Sequence, residues 1–303
     1  MEQTRASRLV ALLAAVIATI IVAACSSAPK APPIVLETRN QAAQFVLLGA
    51  KALREGQMAS AKTFYTEAYR LYTATDDAEG RIRALDGLGR LPGASAADLW
   101  RTAAEVAADS GDVKLVALAS LLDAELKLRS ADEADVRRAL ETARGGARIL
   151  SDLPRDSARA LRLAGAAAKA LNDYPLALDF LDQAAGIDLK EKAFIEYASD
   201  RYVAASVHSK AGDYPAARAA LQDALASDRR AEHPAGIGGD YFALGLIAEK
   251  SGDAAGAARY FGRAAEVFRA ARFDDRAAEA ESRRELAAQG AEGAAQGAEG
   301  GTK

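Results

Sequence analysis

The chain holds one cysteine, Cys25, in 303 residues, so no disulfide can form within it. Its two histidines, His208 and His233, form no His-x-x-x-His pair, and no Cys-x-x-Cys exists. A zinc site therefore lacks ligands at suitable spacing, and no metal is expected. Basic residues (39) do not outnumber acidic ones (42), and the net charge is −3. That balance excludes the basic footprint of a nucleic-acid binder. Prolines are few, at 8, and windows of alternating β-branched residues are scarce, which excludes a strand-rich fold. Alanine, the best helix former, is abundant instead. With 50% hydrophobic residues the chain can bury a substantial core. The class is all-α.

The first 24 residues form a separate segment. Arg5 and Arg8 precede an apolar run from Leu9 to Ala24, which ends in Val22-Ala23-Ala24-Cys25. A basic start, a short apolar stretch and small residues at the end make a secretory signal peptide over residues 1–24. The run is too short for a membrane span, which takes about 20 apolar residues. Residues 25–38 follow, with Pro29, Pro32 and Pro33, and read as an extended linker.

Val-Ala-Ala-Cys resembles the lipobox of bacterial lipoproteins. The resemblance implies cleavage before Cys25, a diacylglycerol on its thiol and an N-acyl chain on the new terminus. This covalent lipid is the one non-protein group expected; no cofactor is. Two or more chains anchor a protein stably, where one does not. Ser26 stands where an aspartate would retain such a protein at the inner membrane. The expected place is thus the outer membrane, facing the periplasm. The outer face of the cytoplasmic membrane is the alternative.

The rest of the chain repeats itself. Leu244-Gly245 is followed by Ser251-Gly252-Asp253, Ala257, Tyr260-Phe261 and Ala264. Forty residues earlier stand Ala204-Ala205, Ala211-Gly212-Asp213-Tyr214, Ala217, Leu221 and Ala224. Forty earlier again stand Ala164-Gly165, Leu171-Asn172-Asp173-Tyr174, Ala177, Leu181 and Ala184. Leu48-Gly49, Glu55-Gly56, Ala61, Tyr65 and Ala68 repeat the scheme near the start. A fixed period of this size signals a solenoid. The small residue (Gly49, Gly165, Ala205 or Gly245) lets a second helix approach the first. Asn or Gly then ends the first helix in a positive-φ conformation, and the aspartate caps the next. Residues 80–110 and 115–148 read as two further helix pairs with a degenerate signature.

These residues resemble the tetratricopeptide repeat family. The resemblance implies a right-handed superhelical solenoid of about six helix pairs over residues 39–288. The spacing here is 40 rather than the family's usual 34, so either loops or helices should be longer. Phe273 to Ala288 is charged on most faces and reads as a polar capping helix. The tract from 289 to 303, with Ala287–Gly293 repeated unchanged as Ala294–Gly300, holds no large apolar residue and is expected to be disordered.

No catalytic constellation emerges, and the chain is not expected to be an enzyme. His208 falls late in a first helix, where packing explains it. His233 lies before Pro234 and is expected to be solvated. Gly87, Gly89 and Gly93 do not form Gly-x-Gly-x-x-Gly, and no strand precedes them. What remains is surface. In the family, first helices line a concave groove that takes peptides or helices. Register places Arg159, Arg162 and Lys169 on that face, then Tyr202, Ser206, Ser209 and Lys210, then Phe242, Leu246, Glu249 and Lys250. Cations beside an exposed ring suit an acidic or carboxylate-bearing peptide; otherwise these are ordinary surface residues. The family's carboxylate-clamping asparagine has no counterpart, Ala166 standing in its place. Near Val46, Ala50, Leu118, Leu121 and Leu128 the equivalent helices are apolar, which means either a hydrophobic end to the groove or tighter packing.

The resemblance implies a membrane-anchored scaffold that binds envelope proteins and helps assemble or localise a complex. Lipoproteins of this repeat family serve β-barrel assembly, secretin assembly or solute transport. The alternative is a periplasmic accessory holding a small molecule or lipid in an apolar cavity lined by Leu118, Leu121, Leu128 and Phe242.

Overall fold

The computed structural model describes residues 37–300, with side chains through Glu292. The signal peptide, Cys25 and most of the linker lie outside the described residues. Thirteen helices follow one another, with no strand among the described residues. They pack as six successive pairs and a cap. The pairs are α1 (Glu37–Arg54) with α2 (Met58–Ala74), α3 (Ala78–Gly89) with α4 (Ala96–Ser110), and α5 (Val113–Lys127) with α6 (Glu133–Ile149). Next come α7 (Pro154–Ala170) with α8 (Tyr174–Lys190), α9 (Phe194–Lys210) with α10 (Tyr214–Arg230), and α11 (Pro234–Lys250) with α12 (Ala254–Ala270). The cap α13 is Asp274–Gly300. The chain is therefore an all-α solenoid of tetratricopeptide-like helix pairs. No helix among the described residues is long and apolar enough to cross a membrane.

The 40-residue period has a simple origin. From α7 to α12 every helix is 17 residues long, and three residues separate each from the next. A 17-residue helix spans about 25 Å at ~1.5 Å per residue. The long repeat thus comes from long helices, and the connections stay minimal.

Those connections use one device throughout. Asn172, Gly212 and Gly252 have φ of 62°, 82° and 82°. Beyond each, the amide of Asp173, Asp213 or Asp253 donates back to the carbonyl of Ala168, His208 or Ala248 at 2.9–3.0 Å. This bond and a left-handed residue together close a Schellman turn, satisfying carbonyls that the helix end leaves free. Each aspartate then accepts from the amide of Leu176, Ala216 or Gly256, so helix end and helix start share one turn. The turns between pairs repeat the geometry with Lys192, Glu232 and Arg272 at φ of 55°, 50° and 61°.

Where that small residue is glycine, contact requires it. A Cβ on Gly245 would lie 2.6 Å from the Phe261 ring, and one on Gly165 2.7 Å from Leu181. Ala61, Ala177, Ala217 and Ala257, each fully buried, bring the second helix against the first. Leu118 and Leu121 are core residues too. The apolar stretch there is tight packing, and the cavity they were expected to line is not formed by them. The array curls until its first turn meets its last: a Cβ on Gly56 would sit 3.0 Å from Phe273.

The cap bears its charges outward, and Arg283 reaches back to Glu249 of α11 at 3.5 Å. Its backbone stays helical to Gly300, past the Ala288 boundary read from the sequence. Alanine, glutamate and glutamine are favourable helix formers.

Candidate functional site

Helices α7, α9 and α11 are the first members of three successive pairs, and the candidate residues sit on them. The structure brings one subset together. Tyr202, Ser206, Ser209 and Lys210 from α9, with Leu246 and Lys250 from α11, line a groove of about 230 Å³. Ala205, Leu221, Ala243 and Ile247 complete its apolar floor. Lys169 of α7 joins from the side, its Nζ donating to Ser206 Oγ at 3.3 Å. Lys250 Nζ likewise donates to Ser209 Oγ at 3.1 Å. None of Lys169, Lys210 and Lys250 forms an ion pair among the described residues. Burial, and then the nearby Lys210 charge, lower the proton affinity of Lys169. The groove is a cluster of cations with hydroxyl partners and no counter-ion, which favours a bound anion.

The other candidates are engaged elsewhere. Arg159 pairs with Asp86 at 2.7 Å and with Glu125 at 3.4 Å, tying α7 to α3 and α5. Arg90–Glu125 and Arg83–Asp156, both at 2.8 Å, extend this network across the first helices of the N-terminal half. Arg162 lies between two buried carboxylates, Asp188 and Asp200. It is a structural counter-ion, not a free groove cation. Phe242, half-buried, packs edge-on against Phe261, centroids 5.2 Å apart, and lies against the core rather than in the groove. Glu249 answers Arg283 of the cap. Among the histidines, His208 is half-buried in α9. His233 is not solvated as expected: it stands at the N-cap position of α11 without capping it, its ring largely buried with Nδ1 2.9 Å from Asp228 Oδ1.

One group escaped the sequence reading. Asp188 and Asp200 recur forty residues later as Asp228 and Asp240, again buried, at 4% and 2% exposure. Burial pushes Asp200 up to about 7 in spite of Arg162. Asp240, without an arginine, is pushed up to about 8 by burial and by the neighbouring Asp228 carboxylate. The signal was available in the repeat alignment, where two acids keep the spacing of the helices that carry them.

No protein-family model matches the chain, and no curated protein matches it in sequence. Solved structures do match. A Rap protein complexed with competence and sporulation factor aligns with a TM-score of 0.55 at 16% identity, covering 83% of this chain and 77% of the Rap chain. The apo form of RapI aligns with a TM-score of 0.57 at 11% identity, covering 82% of this chain and 72% of its own. At these identities the likeness is one of fold: an all-helical array of antiparallel pairs.

Proposed function

We propose that this chain is a membrane-anchored scaffold of the cell envelope, held by lipid on Cys25, whose solenoid binds an acidic segment of a partner protein. One observation carries the binding half of the reading: Lys169, Lys210 and Lys250 converge without a counter-ion on an apolar floor beside Tyr202. An anionic side chain or a C-terminal carboxylate would meet three ammonium groups and two hydroxyls, while its apolar neighbours cover Leu246 and Ile247. A repeat protein of this fold solved with a competence and sporulation factor supports a binding role. The anchor half rests on the lipobox-like Val-Ala-Ala-Cys, and the outer membrane on Ser26. The small-molecule alternative loses two of its four lining residues, since Leu118 and Leu121 are packed in the core; Leu128 lines an open recess of about 610 Å³ beside Arg159 and Arg162.

The test is crosslinking of the tagged full-length protein in its native membranes, with mass spectrometry of what is captured. The expected result is one dominant envelope protein, lost when Lys210 and Lys250 are changed to glutamate. Capture that is unchanged in the double variant would overturn the groove as the binding surface. Retention of the protein in membranes after Cys25→Ser would overturn the lipid anchor.

A further inference from the structure

The two carboxylate pairs differ in one respect. Between Asp188 and Asp200 lies the guanidinium of Arg162, with Nη2 2.5 Å from Asp188 and Nε bonded to Asp200. The position forty residues on from Arg162 is Tyr202. Its phenol carries no charge, so the second pair, Asp228 and Asp240, has no guanidinium. Asp228 has His233 as partner. Asp240 Oδ2 is buried without any hydrogen-bond partner, as Asp200 Oδ2 is in the first pair, but Asp240, only 2% exposed, has no guanidinium on its other oxygen. An orphaned buried carboxyl oxygen is costly, because it gives up its hydration and receives nothing in return.

Beside this oxygen opens a recess of about 410 Å³, lined by Tyr202, Ser199, Asp228, Asp240, His233 and Arg276. Its volume is of the order of small-ligand sites, ~300–1,000 Å³. Arg276, on the cap, does not fill the missing place. Its guanidinium carbon lies over the Phe268 ring, 4.0 Å from the centroid, with Nη1 directed to the Ala235 carbonyl at 3.4 Å.

We propose that this recess binds the guanidinium of an arginine presented by a partner, seated between Asp228 and Asp240 as Arg162 is seated between Asp188 and Asp200. The chain itself displays the complex, one repeat earlier, with its own arginine as the ligand. A planar, two-sided donor set suits two carboxylates better than a point-charge ammonium does. Tyr202 lines both this recess and the basic groove. A partner segment would therefore carry an arginine on one side of the ring and an acidic group on the other.

The arginine's origin in a protein partner rests on the scaffold reading; the chemistry of the recess does not. The experiment separates them by using N-acetyl-arginine amide as the probe, with N-acetyl-citrulline amide as its uncharged match. Binding to the full chain is followed by titration calorimetry at neutral pH in two buffers of different ionisation enthalpy. The expected result is saturable one-to-one binding of the arginine probe with proton release, and none of the citrulline probe. Asp240→Asn, which keeps the side chain's shape, should weaken binding at least tenfold. Tyr202→Arg should abolish it and raise the melting temperature, because the chain then supplies its own guanidinium. The proposal is overturned by absence of saturable binding, by equal binding of the two probes, or by undiminished binding to Asp240→Asn. An acidic peptide that fails to bind would count against the basic groove and leave the arginine result standing.

Discussion

Arg162 and Tyr202 hold the same position in successive repeats, yet one places a guanidinium between two buried carboxylates and the other leaves its pair with only His233, on Asp228. The repeat that contains Arg162 supplies its own guanidinium to both carboxylates. The next contains an unmet electrostatic demand.

Replacing Arg162 by methionine should be costly. It would strand Asp188 and Asp200, both almost wholly buried. Breaking a buried ion pair by removing one partner costs on the order of 3–5 kcal/mol. The deficit should shrink from pH 7 to pH 5, because the stranded carboxyls then take up protons. Urea denaturation at the two pH values checks this. An equal deficit at both would mean that the carboxyls do not feel the loss of the guanidinium.

Asp240 should make stability fall as pH rises. Its carboxyl titrates at about 8 in the fold, against 3.8 for an ordinary aspartate. Between these values the unfolded chain has lost the proton and the folded chain still holds it. The folded state binds more protons there, so stability declines with rising pH, at most by about 1.4 kcal/mol per pH unit for one group. Asp240→Asn removes this contribution. The difference in stability between variant and wild type should therefore grow in the variant's favour from pH 5 to pH 8.

The glycines of the repeat make opposite predictions according to their surroundings. Gly245→Ala forces a methyl group to within 2.6 Å of the Phe261 ring. Overpacking of this kind costs ~1–3 kcal/mol. Gly145, also helical, has nothing within 4 Å of an added Cβ. Gly145→Ala should instead stabilise by about 1 kcal/mol, the helix-propensity difference. Thermal or urea midpoints of the two variants should move in opposite directions.

Much of the fold was legible because its determinants are local. The Asn172-Asp173, Gly212-Asp213 and Gly252-Asp253 turns, the small residues Gly165 and Gly245, and the alanines that face them all lie within one pair. The candidate site was legible only in part. Tyr202, Ser206, Ser209, Lys210, Leu246 and Lys250 converge as register implied. Arg159 and Arg162 do not join them, because their partners come from other elements: Asp86 lies 73 residues away and Asp188 26. Helical register says which face a cation occupies but not which carboxylate reaches it. His233 was misread for the same reason, since Asp228 lies on the preceding helix.

The turns between pairs carry a last prediction. Lys192 stands at φ 55°, in the region where a side chain crowds its own backbone. That conformation costs a non-glycine residue ~1–2 kcal/mol. Glycine removes the cost but adds freedom to the unfolded chain, worth ~0.4–1 kcal/mol. Lys192→Gly should therefore gain from a few tenths to about 1 kcal/mol. Gly212, at φ 82°, is the mirror case: Gly212→Ala should lose about 1 kcal/mol or more. Urea midpoints of the two variants decide the matter. If Lys192→Gly were as damaging as glycine in a helix interior, about 1 kcal/mol, Lys192 would have to be helical. The 20-residue cadence from α7 to α12 would then fail at its first inter-pair turn.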